Sequence, residues 1–252
     1  MLNTVITGQP TEKKSLLIAH GLFGSARNWG VIAKRLAVDR QVVAVDMRNH
    51  GDSAWFESHD YTEIANDLYE IIKDFGGNMD VLGHSMGGKA AMVLAVLHPD
   101  VVHRLVVADI APTPYNHTQI HLIEAMRGVD LDYVTNRTEA SEALRPAVEE
   151  DGVRAFFLQS LDIKEKKWRL NLDVLAGEMS KIIGFPKIEG QFNGPAFFLT
   201  GAKSVYVTPD HRPEIKRLFP AARFAKIPGA GHWLHAEKPR EFELAVRAFL
   251  DA

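Results

Sequence analysis

Six short apolar runs rich in β-branched residues recur along the chain: Leu16–Ala19, Val42–Val45, Met79–Leu82, Leu105–Ala108, Ala196–Leu199 and Phe224–Ile227. Each is apolar almost throughout, with no alternation, which is the pattern of strands covered on both faces. Segments of helical periodicity lie between them. Thr62 reads as an N-cap, after which Ile64, Leu68, Ile71, Ile72 and Phe75 share one face until Gly76 stops the helix. Met86–Leu97 reads as another helix, ended by Pro99, and Glu241–Leu250 as the last, with Phe242, Ala245, Val246 and Phe249 on one side. Strands alternating with crossover helices predict an α/β fold: a mostly parallel central sheet flanked by helices. Leu2–Ile6 is a candidate edge strand.

The rhythm breaks once. About 85 residues separate Leu105–Ala108 from Ala196–Leu199, where a simple crossover needs about 12. That stretch carries four amphipathic patterns, His117–Arg127, Thr138–Val148, Val153–Ser160 and Leu172–Ile182. It therefore predicts a helical cap over residues 113–189, inserted into a core made of 1–112 and 190–252. With no Pro/Gly/Ser linker, the cap is expected to pack down on the core.

Composition narrows the function. The formal charge is −3 with acidic and basic residues interspersed, so no basic footprint for a nucleic-acid backbone exists. No run approaches the roughly 18 apolar residues of a membrane span. The N-terminus lacks the features of a secretory signal, which makes a cytoplasmic location the expectation. With no Cys, disulfides, thiolate metal sites and a cysteine nucleophile are excluded. Nothing in the pattern specifies an oligomeric state.

Chemistry concentrates at Gly83-His84-Ser85-Met86-Gly87. The G-x-S-x-G pattern alone is common, but here it follows the apolar strand Met79–Leu82 and opens the helix Met86–Leu97. That strand–turn–helix setting is what a nucleophile elbow needs to present a serine hydroxyl. Ser85 is therefore the candidate nucleophile, and a serine nucleophile requires a base. Among eleven His residues, position selects His232, in the glycine-bearing loop that follows Phe224–Ile227, because ligands gather beyond the carboxyl ends of parallel strands. His235 is the competitor, expected to point into the next helix. His20 reads as turn-stabilising. His117 and His121 have metal-ligand spacing but no third ligand nearby, so they read as a solvated helix face.

The base needs a carboxylate to fix its tautomer. Elbow hydrolases usually carry it in a Gly-x-x-Asp turn two strands beyond the nucleophile, but here that turn is Gly201-Ala202-Lys203-Ser204. One strand earlier, the run ending at Ala108 is closed by Asp109, and adjacent strands lie about 4.8 Å apart. Asp109 is the expected acid, with turn capping before Pro112 as its bland reading and Asp210 as the substitute. Two backbone donors are expected to hold an oxyanion: the N–H of Met86, and that of Leu22 in His20-Gly21-Leu22-Phe23-Gly24, with Phe23 an alternate. Phe23, His84 and Trp233 are the candidate substrate-binding side chains. Asp46–Ser53 reads as a structural brace. Lys164, Lys166, Lys167 and Arg169 read as a solvated face, with attraction of an anionic head group as the lesser reading. Phe156, Phe157, Leu158 and Trp168 read as the cap's own core before an acyl groove. No metal or cofactor is called for.

With those residues placed, the chain resembles the YbfF-type esterases of the α/β-hydrolase superfamily, a group with mammalian abhydrolase-domain relatives. The stretches carrying the likeness are HGLFGSARNW, VDMRNHGDS, LGHSMGGKAAM, VVADIAPTPY, the Gly201–Ser204 turn and IPGAGHWLHAEKP. The resemblance implies the α/β-hydrolase fold, a helical lid, an acid on the strand just after the nucleophile strand, and hydrolysis of acyl esters or acyl-CoA thioesters. Other Ser-triad chemistries of the superfamily remain alternatives: C–C bond hydrolysis, cofactor-free perhydrolysis and a menaquinone-pathway lyase reaction. A hydrolase-like binding protein is the non-enzyme alternative, disfavoured because no triad member is lost.

Overall fold

Residues 2–252 are described by the computed structural model. In chain order the elements are β1 (Thr4–Thr7), β2 (Leu16–Ala19), α1 (Gly30–Leu36), β3 (Val42–Val45), α2 (Tyr61–Asp74), β4 (Met79–His84), α3 (Met86–Leu97) and β5 (Val102–Ala108). The inserted stretch follows, with α4 (Ile120–Arg127), α5 (Arg137–Leu144), α6 (Asp151–Leu158), a two-strand ladder of β6 (Leu161–Asp162) and β7 (Lys167–Trp168), α7 (Leu172–Gly177) and α8 (Met179–Ile183). The chain then returns through β8 (Ala196–Gly201), α9 (Arg212–Leu218), β9 (Ala222–Ile227), α10 (Leu234–Glu237) and α11 (Pro239–Leu250).

Seven strands form one sheet in the order β1-β3-β2-β4-β5-β8-β9. Only β1 runs antiparallel, paired with β3 at the edge; the remaining pairs are parallel. The strands are continuously apolar because successive residues enter opposite cores. Leu17 and Ala19 of β2 join the cluster beneath α2, α3 and the insert, while Leu16 and Ile18 join the one beneath α1 and α11. The chain leaves β2 for β3 on one side and returns to β4 on the other. The crevice beyond the ends of β2 and β4 is therefore a topological switch point, where open α/β sheets bind ligands.

Several strands and helices extend or shift by a few residues from the runs read in the sequence, and three differences have a clear physical cause. Helix α2 is capped by Asp60, whose carboxylate accepts from the N–H groups of Thr62 and Glu63 at 3.1 Å each. Thr62 is thus a donor to the cap instead of the cap, as an ionised acceptor at a helix start is the stronger choice. The edge strand is Thr4–Thr7, shifted from Leu2–Ile6 because its register is set by β3, from Thr4 opposite Val45 to Thr7 opposite Val42. The β6–β7 ladder was not foreseen: its strands are two residues each, below what periodicity detects, and Lys166 takes the left-handed conformation (φ 48°) at its turn.

The insert packs against the sheet domain. Its Ile123, Met126, Leu144, Phe157 and Leu175 belong to the same buried cluster as Leu17 and Val81. Polar stitches join it to the loops after β2 and β3: Ser160 Oγ donates to Phe23 O at 3.1 Å, Gly51 N to Arg169 O at 2.8 Å and Asn171 N to Asn49 O at 2.9 Å.

Candidate active site

Ser85 sits between β4 and α3 with φ 52° and ψ −118°, a strained conformation for a residue with a side chain. The turn exists because glycines remove Cβ atoms from its inner side. A Cβ on Gly83 would lie 2.2 Å from Gly87 O, and one on Gly87 would lie 2.3 Å from Ala19 O. Both neighbours are backbone and cannot step aside. Gly87→Ala is accordingly expected to cost about 3 kcal/mol, read as a lowered urea midpoint. An unchanged midpoint would show that the elbow is not held this tightly.

Asp109 closes β5 with φ 54° and is fully buried. Its Oδ2 is 2.8 Å from His232 Nδ1 and accepts from Ser204 Oγ at 2.5 Å; its Oδ1 accepts from Gly201 N at 3.0 Å. These bonds reach across β8 to the loop after β9, so the carboxylate is not a cap for its own turn. Because the carboxylate accepts, Nδ1 of His232 carries the proton and Nε2 is left as the basic nitrogen. The turn that lacks the usual acid instead supplies a hydroxyl to Asp109, which sequence reasoning did not assign to Ser204. The Tyr206 ring stacks on His232 at 4.0 Å and 21°, and His84 Nε2 lies 2.9 Å from His232 O. Ser85 and His232 line one cavity. Ser85 Oγ makes no hydrogen bond among the described residues, and such contacts commonly tighten only when substrate is bound.

The competitors fall elsewhere. His235 lies in α10, buried and stacked on Trp29 at 4.2 Å, with its pKa pushed down to about 3 mainly by burial. Asp210 is exposed in the short turn before α9. His117 precedes α4 instead of riding on it, and its Nε2 meets the Tyr206 hydroxyl at 3.0 Å on the cavity rim. No group of three or more potential metal ligands forms among the described residues.

The loop after β2 distinguishes the two backbone donors proposed for it. Phe23 (φ 64°) has its N–H engaged by His50 Nε2 at 3.2 Å. His50 Nδ1 lies 2.8 Å from Arg48 O, so Nδ1 is protonated and Nε2 accepts. The Leu22 N–H has no partner among the described residues, and the Met86 N–H, first in α3, has no acceptor within its helix. His20 is arranged likewise, with Nδ1 2.8 Å from Gly21 O and Nε2 accepting from Met47 N at 2.9 Å. Burial lowers the pKa of His20, that of His50 well below the ordinary range, and that of His59 to about 3. A neutral imidazole can accept, and these two use that capacity to hold the loop. Asp46 adds acceptors for the N–H groups of Ala26 (2.7 Å) and Asp52 (2.9 Å), which makes Asp46–Ser53 the brace its composition suggested.

The cavity encloses about 520 Å³. Phe23, His84 and Trp233 all line it, as do Leu22, Phe156 and Phe157. Of the four residues read as the cap's own core, Leu158 and Trp168 are buried in packing away from the cavity, with Trp168 Nε1 donating to Met126 O at 2.9 Å. Lys164, Lys166, Lys167 and Arg169 do not reach the cavity; Arg169 pairs with Asp52 at 2.5 Å and Asp162 at 2.6 Å.

A family model described as the alpha/beta hydrolase family matches residues 16–245. This chain belongs to the α/β-hydrolase family. The hydrolase is 43% identical over 248 residues to the sn-1-specific diacylglycerol lipase ABHD11 of Mus musculus, covering 94% of the chain and 80% of that relative. It is 38% identical over 241 residues to esterase YbfF of Escherichia coli K12, covering 94% and 92%. A solved structure described as a marine microorganism esterase superposes with a TM-score of 0.93 at 37% identity, covering 98% of each chain. The fold is the α/β-hydrolase fold, and the hydrolase belongs with the esterases and lipases of the superfamily.

Proposed function

We propose that the hydrolase cleaves carboxylic esters through an acyl-enzyme on Ser85, with His232 as general base and Asp109 as its orienting acid. The observation that carries this reading is the 2.8 Å bond between His232 Nδ1 and a fully buried Asp109, at the wall of a cavity into which Ser85 also opens. Nε2 of His232 takes the Ser85 proton as Oγ attacks the acyl carbon. The oxyanion rests on the N–H groups of Leu22 and Met86. Protonated His232 then gives its proton to the leaving alkoxide, or to the thiolate of an acyl-CoA thioester. Water activated by the same nitrogen releases the acid and restores Ser85. No metal or cofactor takes part. The insert acts as a cap, with Phe156 and Phe157 presenting apolar surface to the acyl group. Neutral acyl esters are the favoured substrates, because only Lys89 places a lysine or arginine charge in the cavity lining and it is largely engaged.

The test is labelling with a fluorophosphonate, followed by hydrolysis of p-nitrophenyl esters of rising chain length and then of acyl-CoAs. Labelling of the folded chain is expected to disappear in Ser85→Ala, with ester turnover falling about a million-fold alongside. Absence of labelling in folded protein would favour a hydrolase-like binding protein. Labelling with every ester and thioester left intact would move the assignment to another Ser-triad reaction, such as C–C bond hydrolysis.

A further inference from the structure

Lys89 is the only charged residue of α3, and the proposed reaction gives it no role. It lies four residues after Ser85, one turn along the same helix face, with its N–H donating to Ser85 O at 3.0 Å. Lys89 is 1% exposed yet contributes to the cavity lining. No carboxylate comes within 4.0 Å of its Nζ among the described residues, although a buried ammonium normally requires compensation. The compensation is backbone: Nζ donates to Ile183 O at 2.8 Å and Gly184 O at 2.5 Å. Its flanks are aromatic faces, Tyr115 at 4.7 Å and Tyr61 at 5.9 Å from the ring centroids.

Those carbonyls sit where α8 ends and have no continuing helix to satisfy them. Two further donors hold the same segment. Tyr61 Oη donates to Ile182 O at 2.6 Å and Tyr115 N to Ile183 O at 3.0 Å. From the sheet domain, Tyr61 and Lys89 thus grip three consecutive carbonyls at the end of the insert, and Ile182 and Ile183 form part of the cavity wall.

We propose that Lys89 is a positioning residue for acyl-chain selection: from the nucleophile helix it anchors the Ile182–Gly184 segment, and so fixes how far the isoleucine wall stands from Ser85. The proposal rests on the reading of Ser85 as the acylated residue. Without the anchor, Gly184 O loses its donor and Ile183 O keeps only the Tyr115 N–H, so the segment moves toward water, which deepens the pocket for longer chains. Burial alone pushes the Lys89 pKa down to about 7. The charge-assisted grip is therefore complete below that pH and weakens above it, because a neutral amine makes a weaker bond than an ammonium. Of the groups facing Lys89, burial raises the pKa of Tyr61 and Tyr115, so both stay neutral. His117 is held low by burial and by His232 and Lys89.

The experiment compares kcat/KM for p-nitrophenyl octanoate and butyrate in the full chain, Lys89→Met, Lys89→Arg and Tyr61→Phe. Taking the ratio of two substrates at one pH cancels any pH dependence that the two reactions share. In Lys89→Met the octanoate-to-butyrate ratio is expected to rise about ten-fold, chiefly through KM. Lys89→Arg should return it toward wild type, and Tyr61→Phe, which removes a donor without removing charge, should move it the same way by less. The wild-type ratio should rise between about pH 6 and about pH 8.5, while that of Lys89→Met stays flat. Active enzyme is counted by fluorophosphonate titration, so partial misfolding does not enter the ratio; if Lys89→Met does not fold, Tyr61→Phe and the wild-type pH series decide. Unchanged ratios in the variants, or a wild-type ratio independent of pH, overturn the assignment. If Ser85→Ala hydrolyses esters at a near wild-type rate, it is the reading of Ser85 as the acylated residue that fails instead.

Discussion

Asp109→Asn should lower kcat for p-nitrophenyl butyrate about ten-thousand-fold while leaving KM close to wild type. The carboxylate is an acceptor on every side: His232 Nδ1 at 2.8 Å, Ser204 Oγ at 2.5 Å and Gly201 N at 3.0 Å. An amide has one oxygen and one NH2. Gly201 N cannot move without breaking the β8 edge, where Ala202 N and Lys203 N are themselves bonded to Ile227 O and Ala230 O. The amide oxygen therefore stays toward Gly201, and the NH2 faces Ser204 and His232. A donor facing Nδ1 forces the proton onto Nε2, the nitrogen that must be basic toward Ser85. Geometry survives and the tautomer inverts. Residue 109 is fully buried, so water cannot repair the mismatch. The comparison is steady-state kinetics against a thermal melt of the same preparation. Near-normal turnover in a folded Asp109→Asn protein would remove Asp109 from the reaction and return attention to other acids.

What was legible before the structure, and what was not, follows from the range of the interactions involved. The strands β2 and β3 stand where their apolar runs stand, because burial on both faces leaves no polar position to blur them. The elbow was legible because glycine is required by contact with fixed backbone, as at Gly87 against Ala19 O. That Asp109 would lie beside His232 was legible from the failure of the Gly201–Ser204 turn to supply an acid. The positive use of that turn was not: Ser204 meets Asp109 across 95 positions of sequence, and a lone serine carries no local mark of such a bond. Two histidines show the same limit. His50 was placed in a bracing loop, but its role as acceptor for Phe23 N–H depends on a tautomer set by Arg48 O. His117 was assigned by spacing to a helix that begins only at Ile120, since its partner Tyr206 lies 89 positions on. Lys89 passed unnoticed because a lysine in a helix is usually solvated, and only the folded insert brings the carbonyls of Ile183 and Gly184 onto it.

Ser85→Ala should reduce kcat about a million-fold, and the informative measurement is what a second substitution then does. If hydroxyl, imidazole and carboxylate act as one relay, His232→Ala in the Ser85→Ala background removes nothing further, because a base without its nucleophile has no proton to take. The double variant should match Ser85→Ala within a few-fold, not fall by the product of the two single losses. The activity left in all of these proteins should exceed the uncatalysed rate by about a thousand-fold or more, supplied by the cavity and by the N–H groups of Leu22 and Met86. That residue of activity separates the donor pair from the triad, since no side chain of the triad is needed to present a backbone N–H. Single-turnover hydrolysis with enzyme in excess reads both quantities without interference from product release. Multiplicative losses would mean that Ser85 and His232 act on separate steps. A Ser85→Ala protein no faster than solution would mean that the loop braced by His20 and His50 holds no oxyanion.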